Sequence, residues 1–221
     1  VIVLCPATVQ DCFDLTVKAF NFSERFRTPV IVLSDEMVAH MRERVEIPDP
    51  ESLEVYERPR PEPGAEYLPA GGGEDGVTPL APLGSLPLLH LTSSMHDATG
   101  RTNNDPDNAA WLVRRLWRKI EDHAAEVTMT RTFGEPDAPV LLVSYGGSAR
   151  AARSALDLLS RKGYSARLLE LLTLWPFPDD IVRKESKGRK MVTVCEMNLG
   201  QVLREVRGCS AAPVFGVNKS N

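Results

Sequence analysis

Apolar positions along this chain follow two rhythms, and the switches between them mark the elements. Val1 to Leu4 is an unbroken apolar run, as expected of a strand buried on both faces. Thr8 with Asp11 three residues on resembles a capping box, with Asp in place of the usual Glu or Gln. From there to about Phe26 the period is helical and carries two stripes. One is Val9, Phe13, Val17 and Phe20; the other is Leu15, Ala19, Phe22 and Phe26. Two stripes predict a helix covered on more than one face. Thr28-Pro29 ends it, and Val30 to Leu33 reads as a second buried strand. Asp35 is placed to cap a short helix from Glu36 to about Arg44.

The rhythm disappears over residues 48–87, which hold nine of the 17 prolines and the run Gly71-Gly72-Gly73. Such a stretch predicts a linker or wrapping arm that runs over a surface, with its acidic residues simply solvated. Patterning returns from residue 88. Leu88 to Leu91 is a candidate strand, and Asp105 with Pro106 in the first helical position predicts a helix start. Leu112, Leu116, Ile120 and Ala124 give that helix an apolar stripe. An alternation follows: strand Val140 to Ser144, helix Ser148 to Arg161, strand Ala166 to Leu171, helix Asp179 to Lys184, strand Lys190 to Cys195. Continuous apolar strands alternating with helices predict the α/β class, with parallel sheets covered by helices in three layers. The expected organisation is a body over residues 1–47, a Pro/Gly-rich linker over 48–87 and an α/β domain over 88–221, with no internal repeat.

Composition and charge remove several functions. The 221 residues are 43% hydrophobic and 25% charged, ordinary for a globular protein. No apolar run approaches the roughly 18–20 residues of a membrane-spanning helix, so no membrane partner is expected. No basic, apolar and cleavage regions of a secretion signal are present, and a cytoplasmic location is expected. The net charge of −4 argues against nucleic acid. Arg114, Arg115, Arg118 and Lys119 alternate with Leu112, Leu116 and Ile120, which predicts a solvated helix face. Cys5, Cys12, Cys195 and Cys209 show no C-x-x-C spacing for zinc or an iron–sulfur cluster, and fit free thiols in a reducing compartment. His40, His90 and His123 share no spacing, so no metal ligands are assigned. A chain that opens directly in a strand and closes at Val214 to Lys219 is expected to be a piece of a longer one.

Four segments could carry chemistry. Tyr145-Gly146-Gly147-Ser148 follows a strand and opens a helix. Glycines permit a tight turn there, and free N–H groups at a helix start attract anions, so an anion or partner contact is one reading. The alternative is a plain turn with Ser148 as N-cap, since neither a P-loop nor a full dinucleotide fingerprint is present. Trp175-Pro176-Phe177-Pro178 is a stiff turn whose aromatics fill a pocket. In Glu196-Met197-Asn198-Leu199-Gly200-Gln201, at the carboxyl end of a strand, Glu196 and Asn198 could bind polar groups in a cleft or interface. Asn198 and Gly200 could equally shape a turn. His96-Asp97 could be a base with its orienter, although adjacent residues rarely face each other, and a structural role is the plainer reading. No serine or cysteine sits in a recognisable nucleophile setting.

In order along the chain, Pro6 to Asn21, Arg27 to Glu36, Thr92 to Gly100, Ser144 to Arg150, Leu172 to Pro178, Glu196 to Gln201 and Ala212 to Lys219 resemble segments of 2-oxoacid:ferredoxin oxidoreductase α subunits. The resemblance is strongest to the 2-oxoglutarate enzymes, with pyruvate and branched-chain enzymes nearly as similar. The resemblance implies a thiamine-diphosphate enzyme that oxidatively decarboxylates a 2-oxoacid to an acyl-CoA and reduces ferredoxin through iron–sulfur clusters in partner subunits. It implies that residues 1–47 end a pyrimidine-binding domain and that 88–221 form a transketolase-C-like domain. A β subunit would hold the diphosphate and Mg2+, and γ or δ subunits are further possible partners. The activating carboxylate would precede Val1, so no catalytic residue is assigned, Glu36 included, and the chain alone is expected to be inactive and to bind none of these cofactors. Residues 48–87 are expected to have no clear counterpart in the family. Two alternatives stay open: another transketolase-type thiamine-diphosphate dehydrogenase subunit, distinguished by its electron acceptor, and a non-enzymatic nucleotide-binding module at Gly146 to Ser148, distinguished by calorimetry with nucleotides.

Overall fold

The computed structural model describes residues 1–73, 75–85 and 87–218. Lys219, Glu74 and Leu86, which fall in segments discussed above, lie outside the described residues. The chain forms two compact units: one of residues 1–19, 30–52 and from 127 onward, the other of residues 20–29 and 53–126.

The first unit holds two mixed sheets. Strand β1 (Ile2–Leu4) lies between β2 (Val30–Val32), parallel to it, and β6 (Thr173–Trp175), antiparallel to it. The second sheet has the order β3-β5-β4-β7-β8, formed by β3 (Thr130–Gly134), β4 (Val140–Tyr145), β5 (Ala166–Leu171), β7 (Met191–Glu196) and β8 (Val214–Asn218). All its neighbours are parallel except the edge strand β3, which runs antiparallel to β5. The α/β class read from the sequence therefore holds. The antiparallel members were not legible: β3 is Thr-Arg-Thr-Phe-Gly without an apolar run, and β6 has three residues.

Alternation sorts side chains onto the two faces of the five-stranded sheet. Leu141, Val143, Leu169, Leu171, Val192 and Val194 pack on one face with α6 (Asp179–Ser186) and α7 (Gln201–Cys209) through Val182, Leu203 and Val206. Leu142 and Leu168 pack on the other with Ala152 of α5 (Gly146–Arg161) and Phe133 of β3. In the smaller sheet Ile2 and Leu4 are fully buried. The two sheets are joined covalently, since only Leu172 separates β5 from β6, and the Leu172 carbonyl accepts from Cys5 N–H at 2.8 Å.

Helix α1 (Val9–Phe26) begins as expected: Ala7 and Thr8 N–H donate to Asp11 Oδ2 at 3.1 and 3.0 Å, and Asp11 N–H donates to Thr8 Oγ1 at 3.0 Å. Leu15, Ala19 and Phe26 of one stripe are buried. The other stripe is only half-buried and ends at Phe20, 70% exposed, so one face is covered rather than two. Helix α2 (Glu36–His40) is capped by Asp35, whose Oδ1 accepts from Val38 N–H at 2.9 Å, and stops short of Arg44 because Met41 turns to extended backbone.

In the second unit, α3 (Pro106–Glu121) is capped by Asp105 and followed by α4 (Ala124–Val127), whose last residue belongs to the first unit. Leu88 and Leu91 are 82% and 66% exposed and form no strand; no neighbouring strand offers them a ladder. Among its described residues the proline-rich segment has no regular element beyond the turn at Pro50–Ser52, yet it is more than a surface arm. Ala70, Thr78 and Ala81 are buried, and Asp75 pairs with Arg25 at 2.8 Å instead of being solvated. Along α3, Leu112 and Ile120 are buried, Leu116 is 44% exposed, and Lys119 is 7% exposed. The basic face is thus only partly solvated, through Arg114 and Arg118.

Thr173, fully buried in β6, ties the sheets to the chain entering β3: its hydroxyl donates to the Val127 carbonyl at 2.6 Å and accepts from Met129 N–H at 3.0 Å. Thr173→Val keeps the shape but strips both bonds. The expected loss is about 1–3 kcal/mol, read as a lower urea midpoint with unchanged slope.

Candidate functional site

The parallel strands β4 and β7 bring their carboxyl ends side by side, and the two glycine-containing loops that follow them meet there. Glu196, 3% exposed, accepts four hydrogen bonds. Oε1 takes Leu203 N–H at 3.0 Å and Asn218 Nδ2–H at 3.2 Å; Oε2 takes Val202 N–H and the Tyr145 hydroxyl, both at 3.1 Å. Its carboxyl group therefore fills the start of α7, where unpaired N–H groups and the helix dipole favour an acceptor. Asn198 Nδ2–H donates to the Tyr145 oxygen at 2.5 Å, while Asn198 Oδ1 accepts from Gly200 and Gln201 N–H at 2.8 and 3.2 Å. Burial, then the neighbouring Glu196, hold the Tyr145 hydroxyl well above its usual pKa, so it stays a donor. Both readings of this segment are thus partly met: Asn198 and Gly200 (φ +90°) shape the turn, and Glu196 binds polar groups, but they are the protein's own.

At Gly146 to Ser148 the helix starts earlier than expected. Tyr145 occupies the N-cap position without a side-chain cap, and Ser148 is already inside α5. The missing acceptor comes from far along the chain: Gly147 N–H donates to Asp35 Oδ2. One carboxyl group so serves two helix starts, α2 through Oδ1 and α5 through Oδ2. The glycines follow from this contact. Gly146 has φ +55°, and a Cβ there would lie 2.6 Å from Asp35 Oδ2; at Gly147 it would lie at 3.0 Å. An incoming anion meets a carboxyl group already in place, so the N-cap assigned to Ser148 is corrected and Gly146 to Ser148 form a filled cap.

A third constellation was not read from the sequence. Glu170 of β5 is fully buried and is gripped by Arg153 of α5, with Nε to Oε2 at 2.7 Å and Nη2 to Oε1 at 2.6 Å. Arg131 of β3 lies 3.4 Å from Glu170 Oε1 and donates at 2.5 Å to Asp11, 1% exposed at the start of α1. Burial alone would raise the Asp11 pKa; the hydrogen bond and charge of Arg131, with Thr8 and Ala7, outweigh it and hold it below the usual carboxyl range. The available signal was Glu170 itself, a lone acid inside the apolar strand Ala166 to Leu171.

The remaining segments are local. His96 Nδ1 contacts the Ser94 carbonyl at 2.9 Å, and Asp97 accepts from Thr99 N–H at 2.9 Å, closing a turn and leaving the pair without a shared proton. Phe177 packs on the main core, Trp175 is 53% exposed, and the Trp175–Pro176 peptide is cis. The four cysteines are unbridged; burial, then Asp35, push the Cys5 thiol up to about 12, and burial, then Asp179, push Cys209 up to about 12, far from a reactive thiolate. Among the described residues, no group of three His, Cys, Asp or Glu could hold a metal, and no helix is long and apolar enough to cross a membrane.

An α/β body of mixed sheets with capped helix starts at the carboxyl ends of its strands defines a class also seen in known proteins. Residues 1–106 match the family model for the thiamine-diphosphate-binding part of pyruvate flavodoxin/ferredoxin oxidoreductases, and residues 138–219 match that for core domain II of pyruvate:ferredoxin oxidoreductase. The chain is 40% identical over 218 residues to a 2-oxoglutarate synthase subunit KorA of Archaeoglobus fulgidus, covering 99% of this chain and 56% of that protein. It is 37% identical over 213 residues to the KorA subunit of Methanothermobacter thermautotrophicus, covering 96% and 56%. The structure resembles that of 2-oxoglutarate:ferredoxin oxidoreductase from Magnetococcus marinus, solved with 2-oxoglutarate, coenzyme A and succinyl-CoA bound, with a TM-score of 0.89, 26% identity, and coverage of 100% of this chain and 39% of that one. The chain belongs to the family of 2-oxoacid:ferredoxin oxidoreductase α subunits, and it spans about half the length of the curated relatives it matches.

Glu196→Gln tests the capping role. An amide cannot accept on its nitrogen, so at least one N–H at the start of α7 loses its partner. Stability in urea should fall by about 1–3 kcal/mol; a change within about 0.5 kcal/mol would show that the helix start is satisfied in another way.

Proposed function

We propose that this chain is part of the α subunit of a thiamine-diphosphate-dependent 2-oxoacid:ferredoxin oxidoreductase that converts 2-oxoglutarate, CoA and oxidised ferredoxin to succinyl-CoA, CO2 and reduced ferredoxin. The observation that carries the proposal is the 40% identity to a 2-oxoglutarate synthase subunit, sustained along 99% of the chain. Thiamine diphosphate with Mg2+ is the cofactor, and when bound it supplies the carbanion chemistry of decarboxylation. CoA is the acyl acceptor. Iron–sulfur clusters in partner subunits, a β subunit and in some assemblies γ or δ, carry electrons to ferredoxin in the cytoplasm.

The described residues do not fit the cofactor by themselves. The helix starts at Gly147 and Val202 are filled by Asp35 and Glu196, and no metal-ligand group is present among them. No catalytic step is assigned to them. Residues 1–47 are read as the end of a pyrimidine-binding domain, 48–87 as a connecting segment and 88–221 as a transketolase-C-like domain. In this reading Gly146, Gly147 and Ser148 with Glu196 and Asn198 hold the loops at the strand ends in one shape for the interface with the partner subunit. CoA would meet other residues. The chain alone binds no cofactor and turns over no substrate.

The test is ferredoxin reduction by the complete subunit assembled with its partners. Reduction should require CoA and thiamine diphosphate and run at least ten-fold faster with 2-oxoglutarate than with pyruvate. No reduction with any 2-oxoacid, or transfer to a lipoyl acceptor instead, would replace this function with another of the thiamine-diphosphate class.

A further inference from the structure

In the second unit one buried and two half-buried cations meet no carboxyl group among the described residues. Arg27 follows the last residue of α1 with φ +45°, the left-handed position that glycine fills at lowest cost. Its guanidinium donates to the Pro69 and Thr78 carbonyls at 3.1 and 2.8 Å. Lys119, 7% exposed, donates to the Arg27 carbonyl at 3.0 Å. Arg115 donates to the Gly76 carbonyl at 3.4 Å, its guanidinium carbon lies 5.4 Å from the Trp111 ring centre, and its Nε is buried without a partner. Among the described residues, every acceptor these side chains have is a neutral carbonyl. Asp75 is paired with Arg25 and Glu24 with Arg58, while Asp107 and Asp122 share a cleft with Arg115 without an ion pair to it.

Cations taken out of water cost several kcal/mol unless a counter-charge offsets them. Burial, then Arg115 and Arg27, pull the Lys119 pKa down to about 8, as expected where the described residues supply no offset. All three line one cavity of about 130 Å3, together with Thr78 and His96. That space is several times the ~10–15 Å3 that one water-sized group needs, which leaves room for a tetrahedral oxoanion. Guanidinium and ammonium donors around a free N–H are the groups that recognise phosphate oxygens.

We propose that Arg27, Arg115 and Lys119 form a binding site for an oxoanion of the phosphate class, free or carried as a phosphomonoester. The site lies within the second unit and stands whether or not the proposed catalytic activity holds. Its natural occupant shares the dianionic tetrahedral group; which molecule carries it is decided by comparing probes.

The test uses the complete subunit containing this chain and titrates it with inorganic phosphate and with adenosine 5′-monophosphate at constant ionic strength. Saturable binding of at least one probe is expected, weakened at least ten-fold by Arg115→Gln and recovered in part by Arg115→Lys. The tighter probe identifies the source. A second measurement needs no variant: acylation of Lys119, followed by mass spectrometry, should slow several-fold in phosphate but not in chloride of equal ionic strength. Absence of saturable binding by both probes, equal binding by Arg115→Gln, or Lys119 labelling indifferent to phosphate overturns the proposal.

Discussion

The first unit depends on how it buries two acids, Asp11 and Glu170, with two arginines. An isolated carboxyl group in an apolar interior is costly, and neither acid could sit at 1% and 0% exposure without its partner. Arg131 joins them across sequence separations of 120 and 39 residues, and Arg153 completes the grip on Glu170. The chain from Arg131 to Asp11 fixes the start of α1 against the edge strand β3, and hence fixes β1, which immediately precedes α1, relative to the five-stranded sheet. The β1–β6 pairing and the bond from Cys5 N–H to the Leu172 carbonyl then run over the only residue that separates the two sheets. Apolar packing on both faces of β4 and β5 supplies most of the driving force, but it does not by itself choose this orientation.

The same economy recurs at the helix starts. Asp35 and Glu196 are each a side chain from one segment that satisfies the backbone of another, and each does so beside a glycine-containing turn at the carboxyl end of a parallel strand. Such ends are where ligands of α/β proteins usually gather. Here the polar groups are already matched, which suits an element that presents a fixed surface to neighbours more than one that grips a small molecule. The cations Arg27, Arg115 and Lys119 of the second unit are the opposite case, with donors in excess of acceptors among the described residues.

Much of the scaffold was legible in the sequence. The strands Val140–Tyr145, Ala166–Leu171 and Met191–Glu196 follow from apolar runs, and the start of α1 follows from Thr8 and Asp11, because both signals act over a few neighbouring residues. The edge strand Thr130–Gly134 was hidden because a strand paired on one side only needs no apolar run. The α5 cap was hidden because its acceptor, Asp35, lies 112 residues away. The basic stripe on α3 read as solvent-facing because helical spacing does not reveal what folds over it; the irregular segment around Gly72 and Gly76 does so. At the candidate site, Glu196 and Asn198 could be named from their position, but not the fact that Tyr145, Val202, Leu203 and Asn218 already satisfy them.

The interaction between Asp11 and Arg131 is the part of this picture most open to direct measurement. A double-mutant cycle with Asp11→Asn and Arg131→Met, read as unfolding free energy in urea at neutral pH, isolates their coupling. A coupling above about 1.5 kcal/mol is expected for a buried, mutually dependent pair. Effects that simply add, within about 0.5 kcal/mol, would mean that α1 and β3 are held in place without it.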